Sequence, residues 1–401
     1  MSRPAVVIRP QIEPGRRVVA VSDVHGNLPM LQGVLDKIGF SPSDVLVIVG
    51  DLLEKGRDSL ATLRYVLALQ KTHTVYTLCG NCDYIDMVLL EDPPVPDNAF
   101  STRMGVRYET RGGPDQALWP ILDCWRERSV LFQMAQEAAL PLPKGPGDLP
   151  ALRTALIRRF PEETGFLLNL PHILAAGNFI FVHGGVPRED RLDELDAYSC
   201  MKNDNFMGQG YSFRNWVVVG HWPVTLYDPA IQRSAPLIHR GRHIASIDGG
   251  CVLKLDGQLN ALLIPDITGE DLAWDWYDGL EQVTALDPQE PSGDPLNIRW
   301  SDSVVEVLAQ EGDCLYCRHP STGRELWAPR EYVAQWRDGK THTEDITDYL
   351  LPVSPGDRLS LVRETTRGLL AKKDGVTGWY LGRIRRGQHG PARYGKQSPP
   401  R

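Results

Sequence analysis

The 401-residue sequence has no run of 18 or more apolar residues, and its first residues, MSRPAVVIRPQIEPGRR, lack the apolar core of a secretory signal. We therefore expect no signal peptide, no membrane span and a cytoplasmic location. Positive charge is not in excess either, because the formal net charge is -8 at pH 7. This charge gives no global attraction to nucleic acid or to a membrane surface, so we expect neither as a partner. A phosphate-bearing partner would need a local cationic centre.

Cysteine is scarce. The chain has seven cysteines, an odd number, and no export signal, which favours reduced thiols over a disulfide framework. Cys314 and Cys317 form a C-x-x-C pair, but no second pair lies at zinc-ribbon spacing. We interpret these two residues as packing residues.

The first 90 residues alternate between Val-rich apolar stretches and stretches whose apolar residues recur at helical spacing. RVVAVS, DVLVIVG and TVYTLCG are predicted strands, and strands that alternate with helices pair in parallel through crossovers. Residues 92–172 mix Pro-rich and Gly-rich loops with helical stretches, which predicts a helical cap inserted into the domain. Predicted strands resume at NFIFVHGG, NWVVVGHWP and HIASIDGG. The fold class is therefore α/β.

The last hundred residues consist of short stretches in which apolar and polar residues alternate, separated by turn residues. This pattern is typical of small β-barrels. Two segments resemble the second half of Src-homology-3-like domains. We expect a first domain over 1–285, one small all-β barrel over 296–345, a second over 346–388 and a disordered basic tail over 389–401. A peptide or domain partner of these barrels is a further expectation.

Polar side chains of the kinds that bind metals follow five of the predicted strands. They are Asp23 and His25 in VSDVHGN, Asp51 in VGDLLEKG, Asn81 in LCGNCDYID, His183 in VHGG and His221 in VGHWP. One such residue alone is more often a turn former or a helix cap. Five such strand ends in order indicate a shared site, because the carboxyl ends of strands in an α/β sheet lie along one crevice. We expect these six side chains to converge there.

The donor types suit divalent transition metal ions, and one bridging carboxylate could serve two of them. Carboxylate, amide and imidazole groups suit Mn, Fe, Zn or Ni, with Mg also possible, and Mn is the first choice. Two ions about 3.5 to 4 Å apart need a shared anion, and Asp51 is assigned that role. Asp23 and His25 would complete the shell of one ion, and Asn81, His183 and His221 that of the other.

The ordered motifs resemble the calcineurin-like metallophosphoesterase superfamily, whose pattern runs GDxHG, GDxxDRG, GNH(E/D), HGG and GH. VHGG and the large insert resemble its phosphoprotein phosphatase branch, which includes bacterial serine/threonine phosphatases and diadenosine-tetraphosphate hydrolases. Over residues 16 to 265 the resemblance implies a four-layer fold, a β-sandwich of partly mixed sheets flanked by helices, with a dinuclear centre between the sheets.

The resemblance also implies an activity, which is hydrolysis of phosphomonoesters by attack of water. The substrate would be a phosphorylated protein or small molecule, as for serine/threonine or tyrosine phosphatases. One alternative is a phosphodiesterase or dinucleoside-polyphosphate hydrolase. Another is an inactive scaffold that acts through its C-terminal barrels.

Three motifs depart from the family pattern. Cys82 stands where the family usually has a His that protonates the leaving oxygen, and a thiol with an ordinary pKa near 8.5 is a poorer donor. Small bacterial phosphodiesterases of the superfamily share this GNCD sequence. Glu54 and Lys55 replace an Asp and an Arg, and Lys supplies charge without a bidentate fork. Pro223 stands where other branches carry a second His.

The candidate catalytic residues are Asp51, Lys55, Cys82 and Asp83, and the candidate substrate-binding residues are Lys55, Arg57, Asn81 and Arg214. Asp83 or another carboxylate is expected to pair with the second ring nitrogen of His25, since metal-bound imidazoles usually have such a partner. With a weak general acid, aryl phosphates, diesters and anhydrides should react better than alkyl monoesters.

Overall fold

A computed structural model describes residues 3–92 and 113–387. The chain divides into two compact units. Unit 1 contains the chain up to residue 222 together with 236–252 and 259–277, and unit 2 contains 223–235, 253–258 and the chain from residue 278 onward. Within the described residues, no helix is both long enough and apolar enough to cross a membrane.

Unit 1 contains two β-sheets. Its strands are β1 Val7–Ile8, β2 Val18–Val21, β3 Val45–Ile48, β4 Thr74–Thr77, β5 Ile173–Ala176, β6 Phe179–Val182, β7 Trp216–Val219, β8 Leu237–His239, β9 Ile244–Ser246, β10 Leu259–Ile264 and β11 Ala273–Tyr277. One sheet has the order β1-β5-β6-β7-β9-β8 and the other β11-β10-β2-β3-β4. The strands β2, β3 and β4 pair in parallel, whereas β10 is antiparallel to β2. Both sheets are thus mixed, as the family resemblance implied.

The side chains of β2 point alternately to its two faces, and this explains how the sheets and helices are layered. Val18 and Ala20 join an apolar cluster that also contains Phe181 and Val218 from the other sheet. Val19 and the other alternate residues of the strand join a second cluster, which contains the helices. A strand covered on both faces reads as a continuous apolar run, and this is why β2 and β3 are rich in Val. The α/β sandwich predicted from the sequence is confirmed.

The helices of unit 1 contribute to that second apolar cluster. In the described residues these helices are Leu28–Lys37, Ser59–Gln70, Asn81–Leu90, Gly113–Trp125, Val130–Glu137, Leu149–Arg159, Pro161–Leu168 and Ala197–Met201. Four of them, between residues 113 and 168, lie in the predicted helical insert, and residues 93–112 of that insert lie outside the described residues. Ser129 begins the helix Val130–Glu137, because its hydroxyl accepts from the Leu131 N–H at 3.2 Å.

Unit 2 is built of small all-β sheets. Its strands are Glu281–Ala285, Asn297–Ile298, Glu306–Glu311, Cys314–His319, Arg324–Pro329, Val333–Gln335, Thr341–Thr343, Ile346–Thr347, Arg358–Thr365, Gly368–Lys373, Val376–Tyr380 and Ile384–Arg386. They form a five-stranded sheet, a three-stranded sheet and two strand pairs. The predicted all-β character of this region is confirmed, and both Cys314 and Cys317 are buried in it.

The domain limits 1–285, 296–345 and 346–388 stay predictions, as does the Src-homology-3-like assignment. The predicted tail, 389–401, lies outside the described residues. Glu281–Ala285 pairs with Arg358–Thr365 in the five-stranded sheet of unit 2.

Candidate metal centre

Four of the six predicted ligands have a left-handed backbone. The φ angle is 58° at Asp23, 50° at His25, 48° at Asp51 and 66° at His221. Such a conformation is uncommon for residues other than glycine and costs about 1 to 3 kcal/mol where the residue is held in it. Strained backbone concentrates at functional sites. Here the left-handed backbone turns the chain sharply at the strand ends and directs these side chains toward one another.

Two glycines allow the motifs to approach each other closely. A Cβ atom on Gly80 would overlap the backbone nitrogen and the carboxylate of Asp51. A Cβ atom on Gly220 would overlap the carboxylate of Asp23. The glycines of the CGN and VGH motifs therefore set how near Asn81 and His221 come to the two aspartates.

Asp51 lies at the centre of the cluster. Its Oδ1 is 3.4 Å from His183 Nε2, and its Oδ2 is 3.7 Å from His25 Nε2. Asp23 Oδ1 is 3.8 Å from the same nitrogen of His25. All four side chains are buried. The two oxygens of Asp51 thus face two different imidazoles, as the oxygens of a bridging carboxylate do.

Asn81 and His221 extend the cluster beside His183. Asn81 Oδ1 is 3.3 Å from His183 Nε2, and the ring centroids of His183 and His221 are 5.3 Å apart. The backbone N–H of His221 donates to Asp23 Oδ2 at 3.0 Å. The structure therefore places Asn81 and His221 next to the cluster of Asp23, His25, Asp51 and His183, although the six residues span about two hundred positions of the sequence.

Two sets of three donor atoms lie within 4.8 Å of one another. One set is Asp23, Asp51 and His183, and the other is His25, Asp51 and Cys82. Asp51 belongs to both sets, as expected for a shared ligand. Asp23 groups with His183, although the sequence placed it in the shell of His25. Its carboxylate lies close to both imidazoles.

Backbone carbonyl groups orient the two central imidazoles. His25 Nδ1 lies 3.4 Å from the Leu53 carbonyl oxygen, and His183 Nδ1 lies 2.8 Å from that of Val49. Each ring therefore directs Nε2 into the cluster. The predicted pair between His25 and Asp83 is wrong, because the backbone of the turn after β3 supplies the partner instead.

Asp83 holds the turn that carries Asp51. Its carboxylate accepts from the backbone N–H groups of Leu52 at 3.3 Å, Leu53 at 3.1 Å and Gly80 at 3.0 Å. Asp83 is the third residue of the helix Asn81–Leu90, where an acidic side chain reaches back to the residue before the helix. This geometry makes Asp83 a residue that positions the site.

Lys55 is the cation nearest the cluster among the residues that the sequence singled out. Its Nζ is 3.5 Å from His25 Nε2. Burial lowers the pKa of Lys55, but the carboxylates of Asp51 and Asp23 oppose this effect, and the pKa lies above its ordinary value. The ammonium group therefore stays charged at every physiological pH.

The structure does not bring the other two predicted cations to the cluster. Arg57 and Arg214 are both exposed. In the part of the chain that the structure describes, neither guanidinium forms a hydrogen bond or ion pair with a predicted ligand.

Burial and mutual attraction separate the pKa values of the ligands. Burial raises the pKa of Asp23 to about 6, against the attraction of His183, and lowers that of His25 to about 3. Burial would also raise the pKa of Asp51, but His183 and His25 hold it well below its usual range. The pKa of His183 rises to about 9, because Asp51 and Asp23 outweigh its burial. An ion held by His183 would compete with the ring proton at neutral pH.

Two further acids lie at the site, and sequence reasoning assigned neither as a ligand. Asp204 Oδ1 lies 2.7 Å from His221 Nε2. Asp248 is buried, and its Oδ1 accepts from the Gly250 N–H at 2.8 Å, while its Oδ2 has no partner among the described residues. Burial, and then the charge of Asp23, raise the pKa of Asp248. The SIDGG motif after β9 carried a signal for Asp248, whereas Asp204 follows no predicted strand.

Comparison with known proteins agrees with this geometry. A family model described as calcineurin-like phosphoesterase matches residues 16–246. A symmetrical bis(5'-nucleosyl)-tetraphosphatase of Shewanella sp. strain W3-18-1 is 48% identical over 64 residues, which is 16% of this chain and 23% of the relative. The corresponding protein of Pseudomonas putida strain F1 is 40% identical over 65 residues, 16% of this chain and 22% of the relative. The chain thus matches less than a quarter of the length of these curated relatives.

Solved structures with a similar chain trace include a cold-active protein-tyrosine phosphatase of a psychrophilic Shewanella species. It has a TM-score of 0.38 and 17% identity, over 66% of this chain and 83% of that chain. A metallophosphoesterase from Sphaerobacter thermophilus has a TM-score of 0.34 and 16% identity, over 65% of this chain and 88% of that chain.

The fold is a sandwich of two sheets, and buried carboxylates and imidazoles lie at its strand ends. These features define the class of α/β proteins with a candidate metal site between strand-end loops. The family model covers more than half of the sequence. The chain belongs to the calcineurin-like phosphoesterase family, which is metal-dependent.

Proposed function

We propose that this protein is a dinuclear metal-dependent phosphoesterase that hydrolyses phosphate esters by attack of water. The observation that carries the proposal is the position of Asp51. Its two oxygens face His25 and His183 inside a buried cluster. Asp51 also belongs to both sets of converging donor atoms. Carboxylate, amide and imidazole donors suit divalent ions, so the residues present fit the metal centre that the family implies.

Asp51 would bridge the two ions. The remaining ligands would be Asp23, His25, Asn81, His183 and His221. We propose Mn as the metal, while Fe, Zn, Ni and Mg accept the same ligands. Such an ion pair supplies Lewis acidity and a water of lowered pKa.

Lys55 is the proposed phosphate-binding residue. Its charged ammonium group lies 3.5 Å from His25 Nε2 and can stabilise the negative charge that spreads over the phosphoryl oxygens. Asn81 begins the helix Asn81–Leu90, and a helix N-terminus favours anions. Arg57 and Arg214 remain proposed substrate contacts that would need a substrate large enough to reach exposed side chains.

Cys82 supports a preference among substrates. Its thiol is buried, and burial, followed by the charge of Asp51, raises its pKa well above the ordinary value. A thiol of this kind protonates a leaving alkoxide poorly. We therefore propose a phosphomonoester with a stable leaving group, such as phosphotyrosine, as the preferred substrate class.

Dinucleoside polyphosphates are the second candidate. Their phosphate leaving group also departs without a strong general acid, so Cys82 is compatible with them. Short segments of the chain are similar to bis(5'-nucleosyl)-tetraphosphatases. An inactive scaffold is less well supported, because four of the six candidate ligands belong to the two sets of converging donor atoms and the other two lie beside them.

A side-by-side assay tests the proposal. The Mn-loaded protein would be given a phosphotyrosine peptide, a phosphoserine peptide, a dinucleoside polyphosphate and an aryl phosphodiester. We expect the phosphotyrosine peptide to react at least about tenfold faster than the phosphoserine peptide, since general acid catalysis is worth about 10²-fold or more to a basic leaving group. Asp51→Asn should be inactive, and Asp36→Asn, at an exposed helical position, should match the wild type. A metal-loaded protein that hydrolyses none of the four would contradict the proposal.

A further inference from the structure

Unit 2 contains a cavity of about 240 Å³. All residues of its wall belong to this unit. Pockets for small molecules usually measure about 300 to 1,000 Å³, so this cavity has room for one side chain rather than for a cofactor. Three leucines supply apolar surface to its wall.

A buried acceptor in the cavity wall lacks a donor. Gln232 is only 2% exposed, and its Nε2 donates to Asp256 Oδ2 at 3.0 Å, which fixes the amide. Its Oε1 has no hydrogen-bond partner among the described residues. Because a buried acceptor without a donor is costly, this oxygen indicates a ligand that donates hydrogen bonds.

The charges of the wall are unbalanced. Asp345 pairs with Lys254, and its Oδ1 also accepts from the backbone N–H of Trp300 at 3.0 Å. The Glu344 carboxylate forms no hydrogen bond or ion pair in the described ranges, and it shares the charge of Lys254 with Asp345. Burial, and then the charge of Asp345, raise the pKa of Glu344. With Asp256, the wall contains three carboxylates and one lysine, so it favours a cationic ligand.

The mouth of the cavity offers an open aromatic surface. Trp300 is 55% exposed, although large apolar side chains are usually covered. Tyr332 lines the same wall and is 5% exposed. A cation that stacks on an indole face gains affinity, and arginine does so more often than lysine.

We propose that this cavity binds the arginine side chain of a partner polypeptide. The guanidinium group would donate to Gln232 Oε1 and to the Glu344 carboxylate while it stacks on Trp300. Arginine presents five N–H donors in a planar fork, whereas lysine is a point charge. A neutral side chain would leave Glu344 without an ion-pair partner. The inference does not depend on the proposed hydrolase activity.

Ligand-detected NMR on the full-length protein tests this inference. The probes are the N-acetyl methylamides of arginine, of citrulline, which is its neutral analogue, and of lysine. We expect arginine to bind with a Kd of about 1 mM, a value typical of so small a ligand. Citrulline and lysine should bind at least about tenfold more weakly, because each loses charge-assisted or bidentate hydrogen bonds.

Matched variants locate the binding. Trp300→Ala and Glu344→Gln should each weaken arginine binding about tenfold, the effect of losing one stacking or charge-assisted contact. Trp336→Ala and Glu331→Gln change exposed residues of the same types outside the wall and should bind as the wild type does. Unchanged circular dichroism would show that the variants fold. No arginine binding at tens of millimolar, equal binding of citrulline or lysine, or wild-type affinity in Glu344→Gln would overturn the inference.

Discussion

At the residue scale, Cys82 lies close to the proposed metal ligands without the proton-donor strength of an imidazole. Its Sγ is within 4.8 Å of donor atoms of His25 and Asp51. We expect Cys82→Ala to keep turnover of an aryl phosphate within about threefold of the wild type, because an aryl oxide leaves without protonation. Cys82→His should raise turnover of a phosphoserine peptide about tenfold or more. Steady-state kinetics of both substrates measure this.

The exposed Cys124 supplies the control for that experiment. Cys124→Ala should match the wild type on both substrates. Loss of most aryl phosphate turnover in Cys82→Ala would show that the thiol takes part in the reaction.

Lys55 is a second residue whose role is measurable. Lys55→Ala should lower kcat/KM for a phosphate ester about 10- to 100-fold, because a charge-assisted contact to the phosphoryl group is worth about 1.5 to 3 kcal/mol. Lys55→Arg should retain most activity, since it restores the charge and adds a fork. Lys71→Ala, at an exposed pair with Glu162, is the control. Unchanged kcat and KM in Lys55→Ala would remove Lys55 from the site.

The pKa of His183 makes metal binding depend on pH. The ring is protonated in the metal-free protein below a pKa of about 9, while Asp23 is already ionised above about 6. Between these values each metal ion bound at His183 releases one proton. The apparent affinity for Mn should therefore rise about tenfold per pH unit from 6 to 9 and level off above 9. Titration calorimetry in buffers of different ionisation enthalpy counts the proton, and an affinity independent of pH would contradict this prediction.

At the element scale, the turn after β3 is tied to the helical insert. Glu54 lies in this turn and is fully buried. Its Oε1 accepts from the N–H of Val130 at 2.8 Å, at the start of the helix Val130–Glu137. The insert therefore contacts the turn that carries Asp51 and Lys55. A change in the insert should therefore affect the metal centre through this contact.

The same glutamate predicts a change of stability with pH. Burial raises the pKa of Glu54 to about 8, from an ordinary value of 4.5. The stability that comes from the bound proton is complete below about pH 4.5 and is lost as the pH rises through 8. Glu54→Gln needs no proton, so its free energy of unfolding relative to the wild type should increase between pH 5 and pH 8, by about 1 to 3 kcal/mol.

Urea unfolding in the presence of a chelator measures this difference without bound metal. Glu127→Gln, an exposed change in the insert, is the control and should follow the wild type at each pH. A constant difference between Glu54→Gln and the wild type would contradict the prediction.

Strand ends were predictable from the sequence, and the loops between them were not. A Val-rich run followed by Asp, Asn or His identifies a buried strand and its terminal ligand, and this pattern found Asp23, Asp51 and His183. The partner of His25 depended on the conformation of the turn after β3, which places the Leu53 carbonyl against the ring. Asp204 reaches His221 from a loop without strand periodicity. No pattern in the sequence specifies such a contact.

At the scale of the whole molecule, the strands and helices of unit 1 followed from periodicity and its sandwich from the family resemblance, whereas the strand pairing in unit 2 followed from neither. Alternation reveals that a stretch is a strand but does not reveal its partner. Glu281–Ala285 pairs with Arg358–Thr365, more than seventy positions away. Residues 253–258 join unit 2 between two segments of unit 1. Both features depend on long-range contacts that a linear pattern cannot encode.

The central claim is that six side chains from distant strand ends hold a pair of divalent ions around Asp51, and metal stoichiometry tests it most directly. The apo-protein would be saturated with Mn, desalted and analysed by mass spectrometry of the metal. We predict about two ions per chain for the wild type and for Asp36→Asn, and at most about one for Asp51→Asn. A wild-type chain that binds no ion, or an Asp51→Asn chain that still binds two, would contradict the account.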